Sequence, residues 1–140
     1  MLSLPIDLRK RIEALEERLS PCILCPHRCG VDRLAGETGK CGCGPEAVIA
    51  SSGPHFGEER PLVGKGGSGT IFFSYCNLSC VFCQNHDISQ YGVGSAVSPR
   101  QLAAIMIDLQ QRGCHNINFV TPTHVVPFIV KAVEIAAEKF

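Results

Sequence analysis

Apolar positions recur with a helical period over residues 7 to about 19, where Leu8, Ile12, Leu15 and Leu19 fall at i, i+4, i+7 and i+11. Two opposite-charge pairs at i,i+4, Asp7 with Arg11 and Arg9 with Glu13, support the same amphipathic helix. Ser20-Pro21 stops it, because a residue before proline is pushed out of the helical region. From Cys22 to Gly44 no period survives, and the richness in Gly, Cys and Pro predicts loops organised by something other than a hydrophobic core. "AVIASS" (47–52) predicts a strand, and "GPHFGEERPLVGKGGSG" after it an irregular stretch with six glycines. The β-branched and aromatic run from Thr70 to Tyr75 predicts a buried strand with Cys76 at its carboxyl end. Ser98, Pro99 and Gln101 supply an N-cap, a first-turn proline and a capping box for a helix. Its apolar positions are Leu102, Ile105, Met106 and Leu109, and Gly113 terminates it. "NINFV" (116–120) predicts a second short strand, and an apolar helical pattern runs from Val125 or Val126 to Phe140.

The order strand, cysteine loop, helix, strand, helix is the βαβα pattern of a parallel sheet or barrel, with functional loops at the strand carboxyl ends. Two such strands cannot close a barrel, so the expectation is an α/β chain forming a partial (βα) barrel. Its first two βα units (64–140) follow an amino-terminal helix (1–20) and a Cys-rich metal-binding segment (21–63). The chain reads as the amino-terminal part of a larger protein, and such a piece is expected to expose apolar faces and self-associate.

Thirteen basic residues balance thirteen acidic ones, so nothing draws the chain generally to nucleic acid or to an anionic membrane. No apolar run reaches the roughly 18 residues of a membrane span, and the amino terminus lacks a signal-peptide core, which predicts a cytoplasmic protein. Nine cysteines are many for that compartment, where thiols stay reduced, so metal binding or catalysis outranks a disulfide framework. Eight fall in two clusters; Cys114 stands alone and reads as a small buried hydrophobe.

In "CNLSCVFC", Cys76, Cys80 and Cys83 are spaced C-x3-C-x2-C. Thiolates are soft ligands that favour zinc, copper(I) or iron with sulfide. A zinc ion there needs a fourth ligand, for which His86 is the local candidate, whereas a four-iron cluster on three cysteines leaves one iron open to substrate or cofactor. With Phe82 just before the third cysteine, this loop resembles the cluster loop of radical S-adenosylmethionine (SAM) enzymes. "CPHRCGVDRLAGETGKCG", "GSGTIFFSYCNLSCVFCQNHDIS" and "HNINFVTPTH" together are similar to an uncharacterised branch related to pyruvate formate-lyase activating enzymes. The resemblance covers most of the chain after the first helix.

That resemblance implies that Cys76, Cys80 and Cys83 each hold one iron of a [4Fe-4S] cluster while SAM chelates the fourth. Reductive cleavage of SAM would then give a 5'-deoxyadenosyl radical that abstracts hydrogen, the hard chemistry belonging to the cofactor. It further implies an electron donor such as flavodoxin or ferredoxin, and a protein substrate if glycyl radical formation is the analogy. Phe82 would pack against the adenine side of SAM; the alternative is a core aromatic. Many relatives carry a Gly-Gly-Glu-type turn after the second strand where this chain has "VTPTH". Thr121, Thr123 and His124 are therefore candidate SAM or substrate contacts, Thr123 alternatively being a helix N-cap. Asn116 and Asn118 alternate with Ile117 and Phe119 and would face a polar barrel interior or solvent.

Cys22, Cys25, Cys29, Cys41 and Cys43 offer four thiolates with one to spare. A closed structural site, most simply zinc, is preferred to a second, electron-relaying cluster, with Cys43 the more dispensable member. His27 reads as an exposed loop histidine. Gly64, Gly66 and Gly69 match G-x-G-x-x-G but precede a strand, so they serve close backbone packing beside the cluster rather than a dinucleotide. His55, Glu58 and Glu59 read as a solvated loop before any proton-transfer role. Against the radical SAM reading stands a non-catalytic zinc or iron-sulfur binding module.

Overall fold

The computed structural model describes residues 8–139. The chain runs α1 (Leu8–Glu16), β1 (Ala47–His55), α2 (Arg60–Val63), β2 (Ser68–Phe73), α3 (His86–Tyr91), β3 (Ser95–Val97), α4 (Pro99–Gln111), β4 (Asn116–Val120), a 3-10 turn (Thr123–Val125) and α5 (Val126–Lys139).

Four strands make one mixed sheet in the order β3-β1-β2-β4. The two strands expected from sequence, β2 and β4, lie parallel, with Ser68 opposite Asn116 through to Phe72 opposite Val120. β1 runs antiparallel to both of its neighbours and carries an irregularity between Ile49 and Ser51. Strand alternation sends Ile71 and Phe73 of β2, and Ile117 and Phe119 of β4, to the core under α4 and α5. Asn116 and Asn118 consequently lie on the other face of the sheet.

α4 forms as its sequence dictates. The Ser98 side chain accepts from the Gln101 amide while the Gln101 side chain returns to the Ser98 amide, and Leu102, Ala103, Met106 and Leu109 are buried. Gly113 adopts the left-handed conformation (φ 86°) that ends the helix region. α1 docks on α5 through buried Ile12 and through ion pairs of Arg9 with Glu134 (3.6 Å) and Glu138 (3.3 Å) and of Lys131 with Glu16 (2.6 Å). Arg9 thus reaches across to α5 instead of pairing with Glu13 along its own helix. The helix also ends at Glu16, and Leu19 is buried from the turn that follows. Asp7 of the Asp7/Arg11 pair and Phe140 at the end of the last helix lie outside the described residues.

Residues 53–69 are more regular than their glycines and prolines suggested. β1 continues to His55 because the start of β2 offers partners, Gly53 to Thr70 and His55 to Ser68. Gly66 and Gly69 do permit close backbone approach, a Cβ on Gly66 falling 1.7 Å from the Gly113 carbonyl oxygen. That approach is at the amino end of β2, however, and the cysteine triplet follows its carboxyl end, so the expectation of packing beside the cluster is corrected. Cys43, Ala47 and Ile49 share one core with Ile71, Phe73, Leu102 and Ile129, which joins the Cys-rich segment to the sheet and helices. Cys114 is half-buried against the same core. Among the described residues no helix is long and apolar enough to cross a membrane.

Candidate metal centre

Cys76, Cys80 and Cys83 line one cavity of about 120 Å3, walled by Phe73, Leu78, Ile88 and Val120 and bordered by Thr121. Phe73 ends β2 and Val120 ends β4, so the cavity sits at the carboxyl ends of the parallel pair. Tyr75 (φ 66°) and Ser79 (φ 50°) are left-handed, each immediately before a cysteine, and Thr121 (φ 55°) is left-handed across the cavity. Non-glycine residues hold that conformation at a cost of about 1–2 kcal/mol each. α3 secures the loop: the Tyr75 amide donates to the Ile88 carbonyl at 2.8 Å, and the Cys83 amide to the Cys80 carbonyl at 3.2 Å.

The donor set fits a soft metal. The cavity wall contains no carboxylate, imidazole or guanidinium, so a hard cation that wants oxygen ligands finds none from charged groups. The Leu78 amide donates to Cys76 Sγ at 3.4 Å, and Ser89 Oγ lies 3.3 Å from Cys83 Sγ; donors at sulfur favour the thiolate form that binds metal. Among the described residues no three His, Cys, Asp or Glu side chains are already drawn in as an ion would hold them. The three thiols share a cavity without yet converging on a point.

His86 does not complete this set, since its ring packs edge-on against Tyr91 (centroids 4.7 Å apart) and is no part of the cavity wall. Phe82 is 86% exposed, which corrects its alternative reading as a core aromatic; Leu78 and Val81 beside it are exposed too. Thr123 is exposed in the 3-10 turn, whose cap position belongs to Pro122 without a side-chain cap bond, so the N-cap reading of Thr123 does not hold. His124 is only 1% exposed and stands behind the loop: its Nε2–H donates to the Ser74 carbonyl at 2.9 Å. Burial lowers its pKa below the usual 6.5, the Ser74 bond opposing and the nearby Arg33 charge reinforcing that shift. Its Nδ1 has no hydrogen-bond partner among the described residues.

The other cysteines form a neighbouring cluster. Bonds from the Cys22 amide to Val31 O (2.9 Å) and from the Gly30 amide to Cys22 O (3.0 Å) close a loop, and a turn at Cys25–Arg28 ends on left-handed Arg28 (φ 44°), again just before a cysteine. The Lys40 amide donates to Cys29 Sγ at 3.3 Å. Burial raises the Cys41 pKa, opposed by a bond from the Cys43 amide and by Arg33, while Cys22 and Cys25 nearby raise it further. Cys43 is fully buried, with Sγ 3.1 Å from Arg33 Nη2 and 3.4 Å from the Glu46 carbonyl; burial pushes its pKa to about 11 against the Arg33 charge.

Arg33 is the residue that sequence reasoning missed, since an arginine in a polar loop looks like solvated surface. It is fully buried, and it donates to Gly44 O from Nε and Nη2 (3.0 and 2.8 Å) and to His124 O from Nη1 (2.8 Å). Its guanidinium lies 5.8 Å from the Phe128 ring centroid. Two further contacts join the cysteine loops directly. His27, exposed as expected, donates from Nε2 to the Asn77 carbonyl at 2.7 Å. Gly42 abuts the Tyr75 ring, where a Cβ would fall 2.9 Å from Cδ1. Asn116, by contrast, bonds Ser68 Oγ and Leu62 O (2.7 Å each) and lines a second cavity with Asn118 and Glu58. That cavity and the exposed His55–Glu58 contact (4.0 Å) lie toward the amino ends of β2 and β4, away from the cysteines, as does Glu59 at the cap of α2.

The chain is similar to an uncharacterised protein of Methanocaldococcus jannaschii, 37% identical over 127 residues that make up 86% of this chain and 34% of the relative. It therefore spans about a third of that relative's length. No solved structure matches the chain. Residues 62–135, which carry the triplet, both parallel strands and α4, match the family described as a 4Fe-4S single cluster domain, and since that is more than half of the sequence, the chain belongs to this cluster-binding family.

Proposed function

We propose that this chain is the cluster-binding part of a radical SAM enzyme, with Cys76, Cys80 and Cys83 each holding one iron of the [4Fe-4S] cluster and SAM taking the fourth. The observation that carries the reading is that three thiols, with no fourth protein ligand, line one cavity at the carboxyl ends of two parallel strands. Structural metal sites are closed by protein ligands, whereas sites that act on a small molecule keep a position open. Once bound and reduced, such a cluster supplies one electron that splits the SAM sulfonium bond into methionine and a 5'-deoxyadenosyl radical, which abstracts hydrogen from a substrate.

The chain's own part is position and exclusion of water. Apolar walls from Phe73, Ile88 and Val120 shield the sulfurs, and the Leu78 amide and Ser89 hydroxyl steady them. Thr121 borders the cavity, and exposed Phe82 offers an aromatic face beside it for an adenine. In this reading β2, α4 and β4 begin a partial (βα) barrel, with Asn118 on its interior face. A flavodoxin or ferredoxin supplies the electron, and a protein that receives a glycyl radical is the nearest analogy for the substrate; fold likeness does not fix that substrate. The test is anaerobic reconstitution with iron and sulfide, addition of dithionite and SAM, and chromatography for 5'-deoxyadenosine. The product is expected from the native chain and absent with Cys80→Ala. A full cluster that yields no 5'-deoxyadenosine overturns the reading in favour of a non-catalytic binding module.

A further inference from the structure

We infer that Cys22, Cys25, Cys29 and Cys41 hold a second metal, a zinc-class ion in a closed four-thiolate site, and that Cys43 is not among its ligands. These residues lie outside the stretch 62–135 that matches the single-cluster family, so that match assigns them nothing. From Cys22 to Gly44 the chain forms no helix or strand beyond an isolated bridge at Cys22. Fixing such a loop costs about 1–2 kcal/mol of backbone entropy per residue, and a metal held by several thiolates supplies folding energy where a core is thin.

Backbone geometry gathers the four thiols. Reciprocal bonds of Cys22 with Val31 and Gly30 bring residue 22 beside residue 29, and the turn at Cys25–Arg28 folds the intervening loop over them. The Lys40 amide bonds Cys29 Sγ, and Gly39 packs so close that a Cβ there would lie 2.7 Å from the same sulfur. Residue 41 is thereby delivered next to Cys22 and Cys25, whose charges it feels. Amide donors to Cys29 and Cys41 repeat the device seen at Cys76, and such outer contacts orient and steady ligating groups. Cys43 is excluded by position: its sulfur lies inside the hydrophobic core, between Arg33 and the Glu46 carbonyl. Four thiolates complete a tetrahedron with no open place, so the ion is structural. Through His27 on Asn77 and Gly42 on Tyr75, it braces the loop that carries the triplet.

Elemental analysis of the anaerobically purified 140-residue chain is expected to find one zinc per chain. The same zinc is expected in a variant with Cys76, Cys80 and Cys83 all changed to Ala, which separates this site from the proposed SAM chemistry. Replacement by cobalt(II) in the native chain is expected to give the intense visible bands and sulfur-to-metal charge transfer of a tetrahedral four-thiolate ion. Cys43→Ser should keep metal and spectrum, and Cys41→Ser should lose or weaken both. Iron and sulfide in the triplet-free variant, no stoichiometric metal, or loss of zinc on Cys43→Ser would each overturn the inference.

Discussion

A guanidinium shut away from water is tolerable only when its N–H groups find acceptors, and Arg33 finds Gly44 O, His124 O and Cys43 Sγ. Arg33→Met leaves two buried carbonyls short of a donor, and at about 1–3 kcal/mol for each unsatisfied group the expected loss is roughly 3 kcal/mol in urea unfolding. Arg33→Lys is expected to recover little, because a single ammonium cannot reach the same fork of acceptors. His124 gives the fold an acid-side weakness. Its pKa is lowered below 6.5 by burial, so as pH falls through that value the unfolded chain takes up a proton that the folded one refuses. Stability is complete above the unfolded pKa and declines below it. His124→Asn is expected to flatten the decline in unfolding free energy between about pH 6.5 and 5, and an unchanged slope would contradict the assignment.

Between elements, the Tyr75 ring is held between Gly42 and Gly92, the left-handed C-cap of α3. A Cβ on Gly92 would fall 2.4 Å from the ring. Gly92→Ala is therefore expected to shift the cluster loop, lowering stability by about 1–3 kcal/mol and reducing iron retained after reconstitution. Full iron content with an unshifted melt would contradict this. What could be read from sequence follows the range of the forces involved. α4 and β4 were legible because capping box, period and terminator are all local. The triplet was legible because its spacing is itself the chemistry. α2, α3 and β3 span only 4, 6 and 3 residues, too short for a period to show. The last third of β1 exists through pairing with β2, which overrides its glycine and proline. Arg33 and the latch from His27 to Asn77 join residues 91 and 50 positions apart, and no local pattern announces them.

At the scale of the whole molecule, one core backs a sheet whose edge strand β4 has a single neighbour, while Leu78, Val81 and Phe82 stand exposed beside the cysteine cavity. Open strand edges and contiguous apolar surface promote association, so the 140-residue chain is expected to self-associate on light scattering as its concentration rises; a sharp monomer with a cooperative melt would contradict that. The claim on which the functional account turns is that the triplet leaves one iron open to SAM. It is tested most directly by electron paramagnetic resonance of the anaerobically reconstituted, dithionite-reduced chain with and without SAM. The account predicts a reduced four-iron signal that shifts when SAM is added and is lost with Cys80→Ala. A four-iron signal indifferent to SAM would contradict it.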